Sequence, residues 1–174
     1  MMNEKILFTD KEINDKLNAL AAEIDNYISN IPLEERQNII FIGLLSGCIH
    51  FVSDLTRKIK SDHKLAFIKA SSYLNNTRGD LTIDMNINSV RDNHVVILDD
   101  ICDTGITLNA VVEKLSNDNP LSIKTCVLIN KLIPNKKHTP DFKAFDIEDV
   151  FIYGYGLDYN EYKRNLKDIR IKID

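Results

Sequence analysis

Between Val95 and Leu108 the chain reads VVILDDICDTGITL, and these residue types could hold a phosphorylated sugar. Four apolar residues, Val95 to Leu98, run into two carboxylates, Asp99 and Asp100. A short turn follows, Asp103, Thr104, Gly105, Ile106 and Thr107, and then Leu108, Val111, Val112 and Leu115 recur at helical spacing. The pattern predicts a buried strand, an acidic strand end, a hydroxyl-and-glycine turn and a helix. Backbone N–H groups at a helix start form an anion site, and Thr104, Gly105 and Thr107 suit a cradle for one phosphate. The paired carboxylates just before it suit sugar hydroxyls or a metal ion.

Such a turn works only if a rigid framework holds it. Thr9 and Glu12 have capping-box spacing, and Ile13, Leu17, Leu20, Ala21, Ile24 and Ile28 then predict an amphipathic helix over about Asp10 to Ser29. Ile39 to Leu45 reads as a buried strand, followed by a helix marked by Phe51, Val52, Leu55 and Ile59. Leu65 to Ala70 is a strand, and Asn75 to Asp80 is polar and glycine-containing, hence a loop. Leu81, Ile83, Met85 and Ile87 alternate with polar residues, as in a half-exposed antiparallel strand. Ile123 to Ile129 and Val150 to Tyr155 are further strands. Strands separated by helical patterns predict an α/β fold, a mainly parallel sheet with helices on both faces. Ligands bind such sheets at the C-terminal strand ends, where the acidic motif, Gly43 to Gly47, Lys131 and the Gly154 to Asp158 turn could meet.

The Val95–Leu108 stretch resembles the ribose-phosphate-binding motif of the type I phosphoribosyltransferases, which use phosphoribosyl pyrophosphate (PRPP). FIYGYGLDYNEYKRNL, Phe151 to Leu166, resembles the purine and metal-binding end of hypoxanthine-guanine phosphoribosyltransferases. Gly43 to Arg57 resembles that family's first pyrophosphate loop and the helix after it, and Ala70 to Tyr73 the start of its mobile loop. Lys131 matches a base-contacting lysine. The resemblance runs from about Gly43 to the C-terminus, with the matches in the family's order. It implies one phosphoribosyltransferase domain over residues 1–174, with a core at about 35–150 and a small hood built from both termini.

The reaction implied is displacement of pyrophosphate from the ribose C1′ by a purine ring nitrogen, giving IMP or GMP from hypoxanthine or guanine. Xanthine use stays open, since it differs from guanine only at the two-position. Magnesium would neutralise the leaving group, and it needs only one or two protein carboxylates. The resemblance implies metal roles for Asp158, Asp99 and Asp100, the latter two also holding the ribose hydroxyls. Family members often have Glu where this chain has Asp99, one methylene shorter. Asp103 to Thr107 would take the 5′-phosphate. Asp103 suits a helix N-cap as well as a general base, and the resemblance assigns it the base at the purine N7.

A lone lysine after a strand is ordinarily a surface charge, but the resemblance gives Lys131 a hydrogen bond to the six-position oxygen of an oxopurine. Phe151 is either a core residue or the ring that stacks on the purine, whose edge the backbones of Ile152 and Asp158 would read. Arg164 is either a solvated arginine in a basic tail or a bidentate pyrophosphate ligand. Ser46, Gly47, Ser72 and Tyr73 complete the implied pyrophosphate contacts. Many relatives carry a basic residue at Ser46, where a hydroxyl donates a hydrogen bond but no charge. The family often has a cis peptide there. It also commonly has a glycine after the Ser-Tyr pair, where this chain has Leu74.

Composition narrows the setting. The 174 residues are 44% hydrophobic and 28% charged, as in an ordinary globular domain. A net charge of −4 argues against general nucleic-acid binding. The N-terminus lacks the apolar core of a signal peptide, and the run Ile39 to Leu45 is too short to span a bilayer. Cys48, Cys102 and Cys126 are widely spaced without a CxxC pair, so neither a disulfide framework nor a zinc site is suggested. The expected protein is a cytoplasmic homodimer or homotetramer acting on PRPP and an oxopurine, without nucleic-acid or membrane partners. Two rivals stand beside it: a non-catalytic PRPP- or nucleotide-binding regulator of the same fold, and a phosphoacceptor domain whose acidic pair is Asp99-Asp100. The tail from Lys163 to Lys172 is locally basic and alternates Ile169, Ile171 and Ile173 like an edge strand.

Overall fold

The computed structural model describes residues 4–72, 81–85 and 89–173, with the backbone alone at 70–72 and 81–85. A six-stranded sheet forms the centre, in the order β4-β3-β2-β5-β6-β7. Its strands are β2 (Ile39–Leu45), β3 (Lys64–Ser72), β4 (Leu81–Met85), β5 (His94–Cys102), β6 (Ser122–Lys131) and β7 (Phe142–Ile147). All neighbours are parallel except β4, which runs antiparallel to β3 at the edge. The expected loop at Asn75 to Asp80, and Tyr73 and Ile87 beside it, lie outside the described residues.

Strand alternation sends side chains to two cores. Phe41, Val96, Leu98 and Leu128 face one apolar cluster with α1 (Asp10–Ser29) and α2 (Ile49–Thr56). Ile40, Ile42, Val95, Ile97 and Val127 face the other with α3 (Ile106–Ser116). Helices therefore cover both faces, as a mainly parallel sheet requires. The Thr9–Glu12 capping box is present, and α1 buries the six residues that its periodicity singles out.

The sheet changes winding direction between β2 and β5. From there the chain steps outward to β3 on one side and to β6 and β7 on the other. The loops leaving β2 and β5 thus flank a switch point, the crevice where such sheets bind ligands.

Both chain ends build a hood. β1 (Glu4–Phe8), β8 (Ile152–Tyr153) and β9 (Ile169–Lys172) form an antiparallel sheet in the order β1-β9-β8. Three local expectations need correction. The tail strand β9 is the central strand of the hood, not an edge, because alternation does not distinguish the two. The strand expected over Val150 to Tyr155 shrinks to two residues, since the chain turns at Gly154 (φ +97°) and Tyr155 (φ +53°). Asp99 and Asp100 do not end the strand, since β5 runs on to Cys102. Pairing with β2 stops at Leu98, but β6 continues to pair through Cys102.

Candidate active site

The site forms where the C-terminal ends of successive parallel strands meet. The β5–α3 turn, Asp99 to Leu108, lines a cavity of about 280 Å³. Asp103, Thr104, Ile106 and Thr107 are exposed to it, while Gly105 is buried. Gly105 is the N-cap of α3 in a left-handed conformation (φ +76°) and offers no side-chain cap. The N-cap reading of Asp103 is therefore set aside, leaving its carboxylate available for other work. A Cβ on Gly105 would stand 2.6 Å from the backbone nitrogen of His138.

The residues beneath this turn were not singled out from the sequence. Lys136 donates through Nζ to the carbonyl oxygens of Cys102 (2.9 Å) and Lys131 (3.1 Å). The Lys137 N–H donates to the Thr104 carbonyl at 2.8 Å. His138 Nε2 lies 3.0 Å from Thr125 Oγ1, and Asp141 accepts from both the backbone N–H and hydroxyl of Thr125. The segment between β6 and β7 thus braces the phosphate-type turn from below. A polar stretch such as PNKKHTPD gives no periodic signal of that role.

Asp99 is buried and Asp100 half-buried, side by side at the cavity wall. Burial raises the Asp99 carboxyl well above its ordinary range, and the neighbouring Asp100 charge adds to this. Burial also raises Asp100, against backbone hydrogen bonds and the more distant Arg164 charge. Neither acid has an ion pair among the described residues. Gly47 presses on this pair: a Cβ there would fall 1.8 Å from Asp100 Oδ2. Only a residue without a side chain lets the first loop close so tightly. The Leu45–Ser46 peptide just before it is cis.

Lys131, the last residue of β6, is 8% exposed. Its ammonium lies 3.3 Å from Asp103 Oδ2 and 2.8 Å from Asp149 Oδ1. Burial disfavours the charge, but the two carboxylates outweigh it and the pKa is raised. Lys131 is therefore a held cation and not a solvated one. Asp149, just past β7, is a partner that sequence reasoning did not name.

The hood brings the remaining candidates across the cleft. Arg164 is folded back rather than solvated: it donates to the Gly156 carbonyl (2.9 Å) and pairs with Asp158 Oδ1 (3.0 Å). The other Asp158 oxygen accepts the Glu161 N–H at 3.0 Å. Gly156 sits against the first loop, where a Cβ would meet the Gly47 carbonyl at 2.1 Å. Phe151 is 56% exposed and edge-on to Tyr159, with ring centroids 5.6 Å apart, so it is not a core residue. Ile152 is buried in β8, the hood's edge strand. Ser72 ends β3, and Tyr73 lies outside the described residues.

A family model for the phosphoribosyl transferase domain matches residues 9–160. A hypoxanthine-guanine phosphoribosyltransferase from Dictyostelium discoideum is 36% identical over 172 residues, covering 95% of this chain and 93% of that protein. The chain belongs to the hypoxanthine-guanine phosphoribosyltransferase family. Structures of that family match it closely. One is a hypoxanthine-guanine phosphoribosyltransferase from Bacillus anthracis, 31% identical with a TM-score of 0.84 over 99% of this chain and all of that one. A Trypanosoma cruzi hypoxanthine phosphoribosyltransferase in a ternary substrates complex is 30% identical, with a TM-score of 0.88 over 99% and 96% of the two chains. No helix among the described residues is long and apolar enough to cross a membrane.

Proposed function

We propose that this protein is a purine-salvage enzyme that moves the phosphoribosyl group from PRPP to hypoxanthine or guanine, releasing pyrophosphate. The observation that carries the reading is the meeting of Asp103 and Lys131 (3.3 Å) beside the phosphate-type turn. A base and a cation side by side match an oxopurine, which carries an acceptor at its six-position and a proton at N7. The C1′–O bond to pyrophosphate breaks as a purine nitrogen bonds to C1′. Asp103 takes the proton that leaves N7, and Lys131 donates to the six-oxygen.

The 5′-phosphate takes the N–H groups and hydroxyls of Thr104 to Thr107. Ser46, Gly47, Ser72, Tyr73 and Arg164 take the pyrophosphate, and Asp99 and Asp100 take the ribose hydroxyls. Phe151 lies against the purine ring, with the backbones of Ile152 and Asp158 at its edge. Magnesium is the implied metal. The donor chemistry fits it: Asp99 and Asp100 are adjacent, at least half-buried and in no ion pair among the described residues, and the substrate's own oxygens would supply the other ligands. Asp158 would join by sharing the oxygen that now pairs with Arg164. When bound, the metal neutralises pyrophosphate as it departs. A cytoplasmic location and a homodimer or homotetramer complete the reading.

A spectrophotometric assay with PRPP and magnesium, offering hypoxanthine, guanine, xanthine and adenine separately, tests it. The expected result is nucleotide formation from an oxopurine, reduced by about 10²–10⁴ in Asp103→Ala, the usual worth of general acid–base catalysis. A folded protein that binds PRPP but turns over no purine would sink the reading.

A further inference from the structure

Asp149 makes the shorter of the two contacts to the Lys131 ammonium, 2.8 Å against 3.3 Å from Asp103. We propose that Asp149 is a positioning residue that aims Lys131 at the six-oxygen of the purine and so sets the preference for oxopurines over aminopurines. This rests on the purine-salvage reading above.

Asp103, Lys131 and Asp149 follow or end β5, β6 and β7, which lie side by side in the sheet. The cation therefore comes from the middle strand, and an acid comes from each flank. A lysine ammonium is a flexible point charge that goes wherever the nearest acceptor draws it. With Asp103 as its sole acceptor it would turn wholly toward the general base. Asp149 opposes that pull from the other side. Two of the three N–H groups are then committed, and the third remains for a ligand. An oxopurine offers an acceptor at that point. An aminopurine offers N–H donors and leaves the ammonium unsatisfied, which is how a buried polar group discriminates strongly.

The surrounding charges leave this task to Asp149. Asp146, on β7, is engaged with Asn130 (2.6 Å) and Lys143 (2.8 Å). Lys136 donates to the Lys131 carbonyl and brings no acceptor. The Asp149 side chain is 67% exposed, so its ion pair contributes little to folding. An exposed acid that grips a buried lysine at a ligand-facing strand end has a positional role to fill and hardly a structural one.

The test is calorimetric binding of IMP and AMP to the unmutated protein, Asp149→Ala, Asp149→Asn, Lys131→Ala and the Lys131→Ala/Asp149→Ala double variant. Ribose 5-phosphate serves as the control ligand. We expect Asp149→Ala to weaken IMP binding about tenfold, equivalent to about 1.4 kcal/mol, and to narrow the IMP-to-AMP ratio. Ribose 5-phosphate affinity should hold, and Asp149→Asn, which keeps an acceptor without charge, should lie between. In the Lys131→Ala background, removing Asp149 should have no further effect, because it acts through the lysine. An equal loss in both backgrounds, or none in Asp149→Ala, overturns the inference alone. An unmutated protein that binds no IMP overturns the purine-salvage reading with it.

Discussion

At the scale of single residues, the acidic pair shows function set against stability. Asp99 is buried, its neighbour Asp100 is half-buried, and both are pushed toward the protonated form. A carboxyl raised in the fold favours folding below its unfolded pKa and loses that contribution as pH rises through the folded value. Ionising both acids in the ligand-free protein therefore costs stability. Asp99→Asn should raise its thermal midpoint by about 2–4 °C, the shift expected for about 1 kcal/mol in a chain of this size, while turnover from PRPP falls. Calorimetry beside the salvage assay checks both, and a lower midpoint refutes the argument. The sequence showed this pair plainly, because two acids after four apolar residues break the strand pattern. It did not show that Gly47 would rest against Asp100, a contact made only once β2 and β5 are side by side.

At the scale of elements, α1 and β2 begin and end where periodicity and the capping box place them. Both carry their own signals: a six-residue apolar stripe in one and an unbroken apolar run in the other. β1 and β7 carried too little pattern to be recognised. The β6–β7 connection is the consequential omission, since it braces the β5–α3 turn through Lys136, Lys137 and His138. Burial lowers the His138 pKa below its ordinary value, with Lys136 assisting and Asp141 opposing. A histidine depressed in the fold contributes stability above its unfolded pKa of about 6.5, and that contribution is lost as pH falls through the folded value. His138 should therefore pull the unfolding midpoint down as pH falls from about 7 to 5.5, and His138→Gln should remove that contribution. A scan of midpoint against pH for both proteins decides it; identical slopes would show that His138 is not responsible.

At the scale of the whole molecule, a polar seam joins the hood to the core beside apolar contacts such as Phe8 stacked on Phe145. The buried Tyr155 hydroxyl donates to Asp54 Oδ2 of α2 at 2.6 Å, beside the Gly156–Gly47 contact. Burial and the Asp54 charge both raise the tyrosine pKa, so it stays a donor. Tyr155→Phe should cost about 1.5 kcal/mol in urea unfolding, the low end for a hydrogen bond to a charged group. An unchanged free energy would mean the seam is held by packing alone. The sequence spelled out the sheet class but not the hood's strand order, which pairs residues from opposite ends of the chain. That pairing has a consequence for birth on the ribosome. β1 pairs with no strand but β9 among the described residues, so it waits for a partner synthesised long after it. Closing a loop that encloses the entire core is slow compared with forming the local β5–α3 unit. A nascent chain would thus carry the β5–α3 turn well before its hood sheet, and translation halted before Ile169 would leave that turn built and the hood without its central strand.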